Sequence, residues 1–327
     1  MSAERAAAGP AVVVPSWNGA GWLPDCLDSI AAQTLPPAET IVVDNGSTDG
    51  TLELLRRRDP PVRVVELGRN TGFACAANRG LDAAAGAELV ALVNTDVVLE
   101  PDWLERMAGA LDAHPEAASA ACKMVDLRDP RLVWDAGDFL RRDGDAEQRG
   151  RGTADDGRFD EPGEAFSACA GAAVYRRSAV LDAGGFDERF FAYLEDVDLG
   201  LRLRLAGWTC RYEPAVARHA GGASAVRLEP PAEWWVERNT LLVLWKAFPP
   251  RWAPLVAYRQ AGLARHALRD GSLRAHLGGA AAALRLLPAM LRDRRRLRRG
   301  AAVPVAEAVP PRPITRRGMA RAGWPPP

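Results

Sequence analysis

Three carboxylates, Glu195, Asp196 and Asp198, crowd directly behind an aromatic run of Phe190, Phe191 and Tyr193. Leu194, Val197, Leu201 and Leu205 then keep helical spacing until Gly207, which puts the acids in the first turn of an amphipathic helix. Two chemistries suit this arrangement. Carboxylates at a helix N-terminus interact favourably with its unpaired N–H groups and its dipole, and so start the helix. A carboxylate held against an apolar wall also becomes a better proton acceptor as burial raises its pKa, which is what a general base requires.

The elements that must position these acids come first along the chain. From Ala11 onward, short β-branched runs alternate with amphipathic stretches, the pattern of an α/β sheet built from βαβ units. The spacing predicts strands over Ala11–Val14, Thr40–Val43, Val62–Leu67 and Glu88–Val93, runs read together as apolar rather than alternating and hence covered on both faces. Helices are expected near Gly21–Gln33, Asp49–Arg58, Phe73–Ala85 and Pro101–His114. Every strand ends in a polar cluster, and ligands of parallel sheets bind at the carboxyl ends of strands. The clusters are Pro15-Ser16-Trp17-Asn18, Asp44-Asn45-Gly46-Ser47, Arg69-Asn70-Thr71-Gly72 and Asn94-Thr95-Asp96. Ordinary turns favour the same residue types, but turn chemistry gives no reason for strand-end acids on two strands beside an arginine and several amides. No G-x-G-x-x-G follows the first strand, which disfavours dinucleotide hydride chemistry.

Beyond Ser119–Val125, the stretch 126–163 has little periodicity and reads as an excursion with a mobile loop near Arg141–Gly157. Ala165–Tyr175 reads as one buried strand, and Trp208–Val216 as another extended segment ending near His219, a candidate for metal or phosphate contact. Pro230–Trp245 reads as a helix beside the acceptor side of the pocket.

The 327 residues, 48% of them apolar, suffice for one large or two modest cores. Formal charges cancel overall, and nothing points to nucleic acid. They do not cancel locally: residues 251–300 hold twelve arginines against Asp270 and Asp293, a net +10. Within that segment Leu273, Leu277, Leu284, Leu287 and Leu291 share a helical face flanked by arginines, a composition suited either to core packing or to an anionic membrane surface, with Pro288 imposing a bend. Five dispersed cysteines without a CxxC pair argue against disulfides and zinc, and with no signal peptide or spanning segment in view the expected location is cytoplasmic.

In order along the chain, Val13-Val14-Pro15-Ser16-Trp17-Asn18, Val42-Val43-Asp44-Asn45-Gly46-Ser47-Thr48-Asp49-Gly50, Asn70-Thr71-Gly72-Phe73 with Asn78, Leu92-Val93-Asn94-Thr95-Asp96, Gly184-Gly185-Phe186-Asp187-Glu188 through Glu195-Asp196-Val197-Asp198, and His219 resemble the family 2 glycosyltransferases of the GT-A fold, especially their bacterial rhamnosyltransferase-like branch. The resemblance spans about Ala11–Gly222. Composition gives a helical basic extension over 223–300 and disordered ends over 1–10 and 301–327, and the resemblance implies a GT-A mixed sheet flanked by helices. It further implies a hexosyltransferase-type activity, inverting and metal-dependent, that carries a sugar (rhamnose as first expectation) from a dTDP- or UDP-linked donor to a glycan or polyprenyl-linked acceptor of the cell envelope. On the same resemblance Asp44 receives the pyrimidine base, and Pro15, Ser16, Asn18, Asn45, Ser47, Asn70, Gly72, Asn78, Asn94 and Thr95 complete the donor site, with Arg69 on the diphosphate. Asp96 and His219 would hold Mg or Mn, Asp196 would be the base, and Glu195, Asp198, Trp234 and Arg238 would support the acceptor. A peripheral membrane contact through the C-terminal basic helix would suit a lipid-carried acceptor. The contrasting class is a noncatalytic nucleotide- or glycan-binding scaffold subunit, against which stands the joint presence of Asp44, Asp96, Asp196 and His219.

Overall fold

The computed structural model describes residues 9–221 and 229–312. Its first half alternates as the sequence predicts: β1 (Ala11–Ser16), α1 (Leu23–Ala31), β2 (Thr40–Asp44), α2 (Thr51–Arg57), β3 (Arg63–Glu66), α3 (Phe73–Ala83), β4 (Leu89–Val93), β5 (Val97–Leu99) and α4 (Trp103–Asp112). β6 (Ala117–Asp126), β7 (Val133–Asp135), β8 (Asp138–Leu140), β9 (Ala146–Gln148), β10 (Gly163–Ala165) and β11 (Ala172–Arg176) follow. After α5 (Arg177–Asp182) come α6 (Glu195–Leu205) and β12 (Thr209–His219), then the helices α7 (Ala232–Ala247), α8 (Ala253–Asp270), α9 (Leu273–Leu284), α10 (Leu287–Gly300) and α11 (Val305–Ala308).

The main sheet runs β10-β12-β6-β11-β4-β1-β2-β3, with β5 added to β12 and β7 to β6. β1 pairs in parallel with β2 and β4, whereas β11 runs antiparallel to β4 and β6, so the sheet is mixed. Val12 and Val14 pack on one face against Leu23, Leu27 and Leu104, and Val13 and Ile41 on the other against Ala77 and Leu81. The third strand departs from the expected double cover: as an edge strand it is only half-buried. α3 approaches β1 so closely that a Cβ at Gly80 would lie 2.1 Å from Val13 Cγ1, which fixes a glycine there.

Other expectations give way as well. Ala165–Tyr175 is not one strand but β10 and β11 separated by a loop, and that loop delivers the Ala170 N–H to Asp196 at 3.1 Å. Arg141–Gly157 is not a loose loop. The β8–β9 hairpin and the turn after it are hydrogen-bonded to β7, and the Arg149 guanidinium lies 4.3 Å from the centre of the Tyr212 ring. Residues 301–312, assigned to a disordered tail by composition, pack on the core. Ala308 and Val309 are buried beside Leu201 and Leu205, and Arg142 donates to the carbonyls of Ala306 and Val309 at 2.6 and 2.9 Å. Residues 1–8 and 313–327 lie outside the described residues.

The C-terminal helices are joined to the sheet domain by charge as well as by apolar packing. Lys246 of α7, 2% exposed, donates to Asp187 and to Asp198 at 2.6 Å each, while Arg202 holds the second oxygen of Asp198 at 2.7 Å. Removing one partner of such a buried set strands the others without water and costs about 3–5 kcal/mol. Leu273–Leu291 is two helices, not one bent helix: the chain breaks at Arg285-Leu286, and Pro288 sits in the first turn of α10, where its missing N–H is harmless. No described helix is long and apolar enough to cross a membrane.

Candidate active site

The carboxyl ends of β1, β2 and β4, the Phe166–Gly171 loop, the start of α6, and α7, α8 and α9 enclose one cleft of about 910 Å³. Pro15, Ser16, Asn45, Asn70, Gly72, Asn94, Thr95, Asp96, Glu195, Asp196 and His219 all line it. The structure thus gathers most of the sequence-derived site residues from six separate stretches of chain.

Asp44 lies just beneath the lining, 1% exposed. Its Oδ2 accepts from the backbone N–H groups of Gly46 and Ser47 at 3.2 Å each, and among the described residues its Oδ1 has no partner. A buried carboxylate oxygen without a donor is costly unless a ligand supplies one. Asn45 binds the loops together: its amide donates to Asn70 and to the Gly72 carbonyl, and its oxygen accepts from Thr71. Asn18 and Ser47 interlock in the same way, Asn18 N–H to Ser47 Oγ at 2.9 Å and Thr48 N–H to Asn18 Oδ1 at 2.8 Å.

Asp96 and His219 meet across adjacent strand ends, with Nε2 3.3 Å from Oδ1. Neighbouring ligands on an octahedral ion with bonds of about 2.1 Å stand about 3 Å apart, so this spacing fits two protein ligands on one divalent cation. The other ring nitrogen of His219 is buried without a partner among the described residues. Trp134 stands edge-on to the imidazole at 4.8 Å and fixes its plane. No group of three or more His, Cys, Asp or Glu side chains that could hold a metal occurs among the described residues; the donor set suits an ion completed by ligand oxygens and water.

Asp196 begins α6 half-buried, accepting from Ala170 N–H at 3.1 Å and Val197 N–H at 2.8 Å. Burial raises its pKa above the ordinary aspartate value, opposed by those two N–H groups. Glu195 is raised well above its ordinary value by burial and then by Asp196. Two further acids surround the site. Asp138, which lines the cleft, is raised well above the usual range by burial and by the charges of Asp135 and Asp196. Asp135 is pushed up to about 7, by burial first.

The segment before Asp196 is strained. Phe191, Tyr193 and Leu194 all have positive φ (65°, 72° and 64°), and Phe191, at ψ −68°, closes a γ-turn in which Ala192 N–H donates to the Phe190 carbonyl at 2.8 Å. Asn239 of α7, fully buried, directs its amide at the carbonyls of Phe190, Ala192 and Tyr193 at 3.0, 2.8 and 2.7 Å. Gly72 completes the lock: with φ 87° it lets α3 approach so that a Cβ would lie 2.5 Å from the Phe191 carbonyl oxygen.

Several expected site residues stand elsewhere. Asn78 ties α3 to the Gly185-Phe186 backbone, donating to Phe186 O and accepting from Phe186 N. Arg69 is exposed and lines a separate pocket with Cys75, Arg79 and Glu188. Arg238 donates to Arg189 O and to Asn239 Oδ1, and Trp234 faces Gly278 in the α7–α9 contact. Asp198 is fully enclosed by Lys246 and Arg202 and is not among the residues that line the cleft. Conversely, Trp134, Asp138, Glu237 and His276 line the cleft and went unnoticed in the sequence. Trp134 and Asp138 fall in a stretch without periodicity, where only the close spacing of acids and aromatics hints at a role.

The family profile of glycosyl transferase family 2 matches residues 11–183, more than half of the chain. The chain belongs to glycosyl transferase family 2. Among its relatives, an N-acetylglucosaminyl-diphospho-decaprenol L-rhamnosyltransferase of Mycobacterium tuberculosis is 31% identical over 233 residues, 62% of this chain and 73% of the relative. The crystal structure of GalNAc-T7 with UDP, GalNAc and Mn2+ superposes with a TM-score of 0.62 at 14% identity, covering 79% of this chain and about half (51%) of that one. The Pyrobaculum calidifontis mannosyltransferase PcManGT in complex with GDP-Man and Mn2+ does so with 0.50 at 21% identity, covering 89% and 85%. At these identities the two structures establish the fold, a GT-A mixed sheet with a C-terminal helical region. This glycosyltransferase therefore has rhamnosyltransferase-like relatives and carries its candidate base, Asp196, in the same cleft as the Asp96–His219 pair.

Because Asp135 is pushed up to about 7 from 3.8, the folded state holds a proton there that the unfolded chain has released. Its contribution therefore turns unfavourable as pH rises between those values, by at most about 1.4 kcal/mol per pH unit. Chemical denaturation at pH 4 through 7 is expected to show Asp135→Asn gaining stability relative to wild type across that window; a constant difference would contradict the assignment.

Proposed function

We propose that this glycosyltransferase is inverting and metal-dependent, moving a sugar from a nucleoside diphosphate to a hydroxyl of a cell-envelope glycan or polyprenyl-linked acceptor. The observation that carries the reading is the half-buried Asp196 carboxylate, lining one cleft with Asp96 and His219. Asp44 Oδ1 lacks a donor among the described residues, and the imide N–H of uracil or thymine would supply one. Rhamnose from a dTDP donor is the first candidate, because the Mycobacterium tuberculosis relative is named a rhamnosyltransferase acting on a diphospho-decaprenol-linked sugar.

Asp196 takes the proton of the acceptor hydroxyl as its oxygen bonds to the anomeric carbon from the face opposite the diphosphate, and the anomeric C–O bond to the diphosphate breaks. The raised pKa makes Asp196 a stronger base than an exposed aspartate. Asp96 and His219 would hold Mg or Mn, as the Mn2+ named with both solved neighbours supports. That ion would neutralise charge building on the departing diphosphate. Asn94, Thr95 and Ser16 line the donor side. Leu277, Leu284 and Leu291 are exposed along α9 and α10 amid arginines, and each arginine near an anionic surface contributes about 1 kcal/mol. This face would seat the enzyme on the membrane that carries its acceptor.

A panel of dTDP- and UDP-sugars with Mn or Mg is expected to find one that is transferred or hydrolysed. Asp196→Asn should then lower kcat by about 100-fold or more with nucleotide affinity retained, and Asp96→Ala should weaken metal-dependent nucleotide binding by about tenfold. No turnover with any donor, or full activity in Asp196→Asn, would sink the reading. For the membrane face, vesicles rich in anionic phospholipid should float the wild type but not Leu277→Glu/Leu284→Glu; equal flotation would reject it.

A further inference from the structure

The wall of the cleft formed by α7, α8 and α9 carries none of the residues assigned above to a nucleotide or a metal. Glu233 and Glu237 of α7, Arg259 of α8 and His276 of α9 line it, and Glu195 lines the same cleft. Charge there is not balanced. Arg259 is taken up by Asp145 at 3.0 Å, and Arg141 by Glu147, so both guanidinium groups are already paired. Among the described residues of this wall, what remains is Glu233 and Glu237 against His276, whose Nδ1 lies 3.5 Å from Glu237 Oε2. Glu195 and Glu237 are 6% and 8% exposed, and Glu195 Oε2 has no partner among the described residues. Glu233 and the buried Glu237 repel an incoming anion in this low-dielectric wall and accept from hydroxyl donors. Burial holds the Glu195 carboxyl well above its usual range, so this wall offers an O–H donor as well as carboxylate acceptors, matching hydroxyls that both donate and accept.

We propose that the α7–α9 wall is the acceptor compartment and that it selects an uncharged, hydroxyl-rich sugar ring, with Glu233 and Glu237 turning anions away and Glu195 and His276 hydrogen-bonding the ring. The inference rests on the glycosyltransferase reading for its occupant, but it adds a sign: rings that carry a carboxylate, the uronic acids, are excluded. The arginines of the outer α8–α10 face, not this wall, are then left to meet any anionic carrier of the acceptor.

The test is binding, read by saturation-transfer NMR on the full chain with hexyl glycosides of glucose, galactose, N-acetylglucosamine and rhamnose, and with the hexyl uronides of glucose and galactose. The expected result is that at least one neutral glycoside binds and that its uronide binds at least about tenfold more weakly; Glu237→Gln should narrow that gap several-fold. His276→Gln, which keeps hydrogen-bonding capacity, should leave the preference for the neutral ring in place. Binding of no neutral glycoside, equal binding of a ring and its uronide, or an unchanged gap in Glu237→Gln would overturn the inference. A parallel titration with UDP and dTDP in the presence of Mn separates the two readings: glycoside selectivity without nucleotide binding would sink the glycosyltransferase mechanism and leave the compartment, and the reverse pattern would do the opposite.

Discussion

Phe191 closes a γ-turn of the rare hand, and Tyr193 and Leu194 follow it in the left-handed region. Each such residue costs on the order of 1–3 kcal/mol and persists only where the surroundings over-determine it. Here they do. Asn239 divides two amide hydrogens among three carbonyls, Ala74 N–H donates to the Phe191 carbonyl at 3.2 Å, and the Phe191 ring stacks on Trp235 at 4.8 Å. The turn lets the chain leave the aromatic wall and enter α6 with Asp196 at its first turn, where the Ala170 and Val197 N–H groups fix the carboxylate. Without it, the acid would begin the same helix on a different heading.

α7 is accordingly part of the site rather than an appendage to it. One helix carries the amide that holds the turn, the lysine that neutralises Asp187 and Asp198, and Glu237 in the cleft wall. The buried charges give this junction specificity more than stability, since desolvation offsets much of their attraction. α9 packs on α7 and turns exposed leucines outward on its far side, so the helices that would meet a membrane also wall the cleft.

Much of this was legible beforehand. The βαβ alternation predicted the parallel strands to within about two residues, for β1, β2 and β4 because apolar runs covered on both faces leave little choice of structure. Asp44, Asp96, Asp196 and His219 stood out because acids and imidazole at strand or helix ends carry chemistry that turns do not need. Asn239 did not stand out: its partners are backbone carbonyls 46–49 residues away, and no sequence pattern displays a carbonyl. Arg238 and Trp234, its conspicuous neighbours, drew the acceptor role instead. Asp135 and Asp138 were hidden by the absence of periodicity around Gly137. The Pro- and Ala-rich stretch over 301–312 looked disordered because composition cannot register that Arg142 binds its carbonyls.

Asn239 holds the turn from which Asp196 enters α6, so its effect on turnover is expected to run through Asp196. A double-mutant cycle on kcat tests it most directly. Asn239→Ala is predicted to cost about tenfold or more in the wild-type background and less than about twofold when Asp196 is already asparagine, with both proteins folded by circular dichroism. Equal losses in the two backgrounds would show that the amide clamp and the acid are independent, and the account given for the strained turn would be wrong.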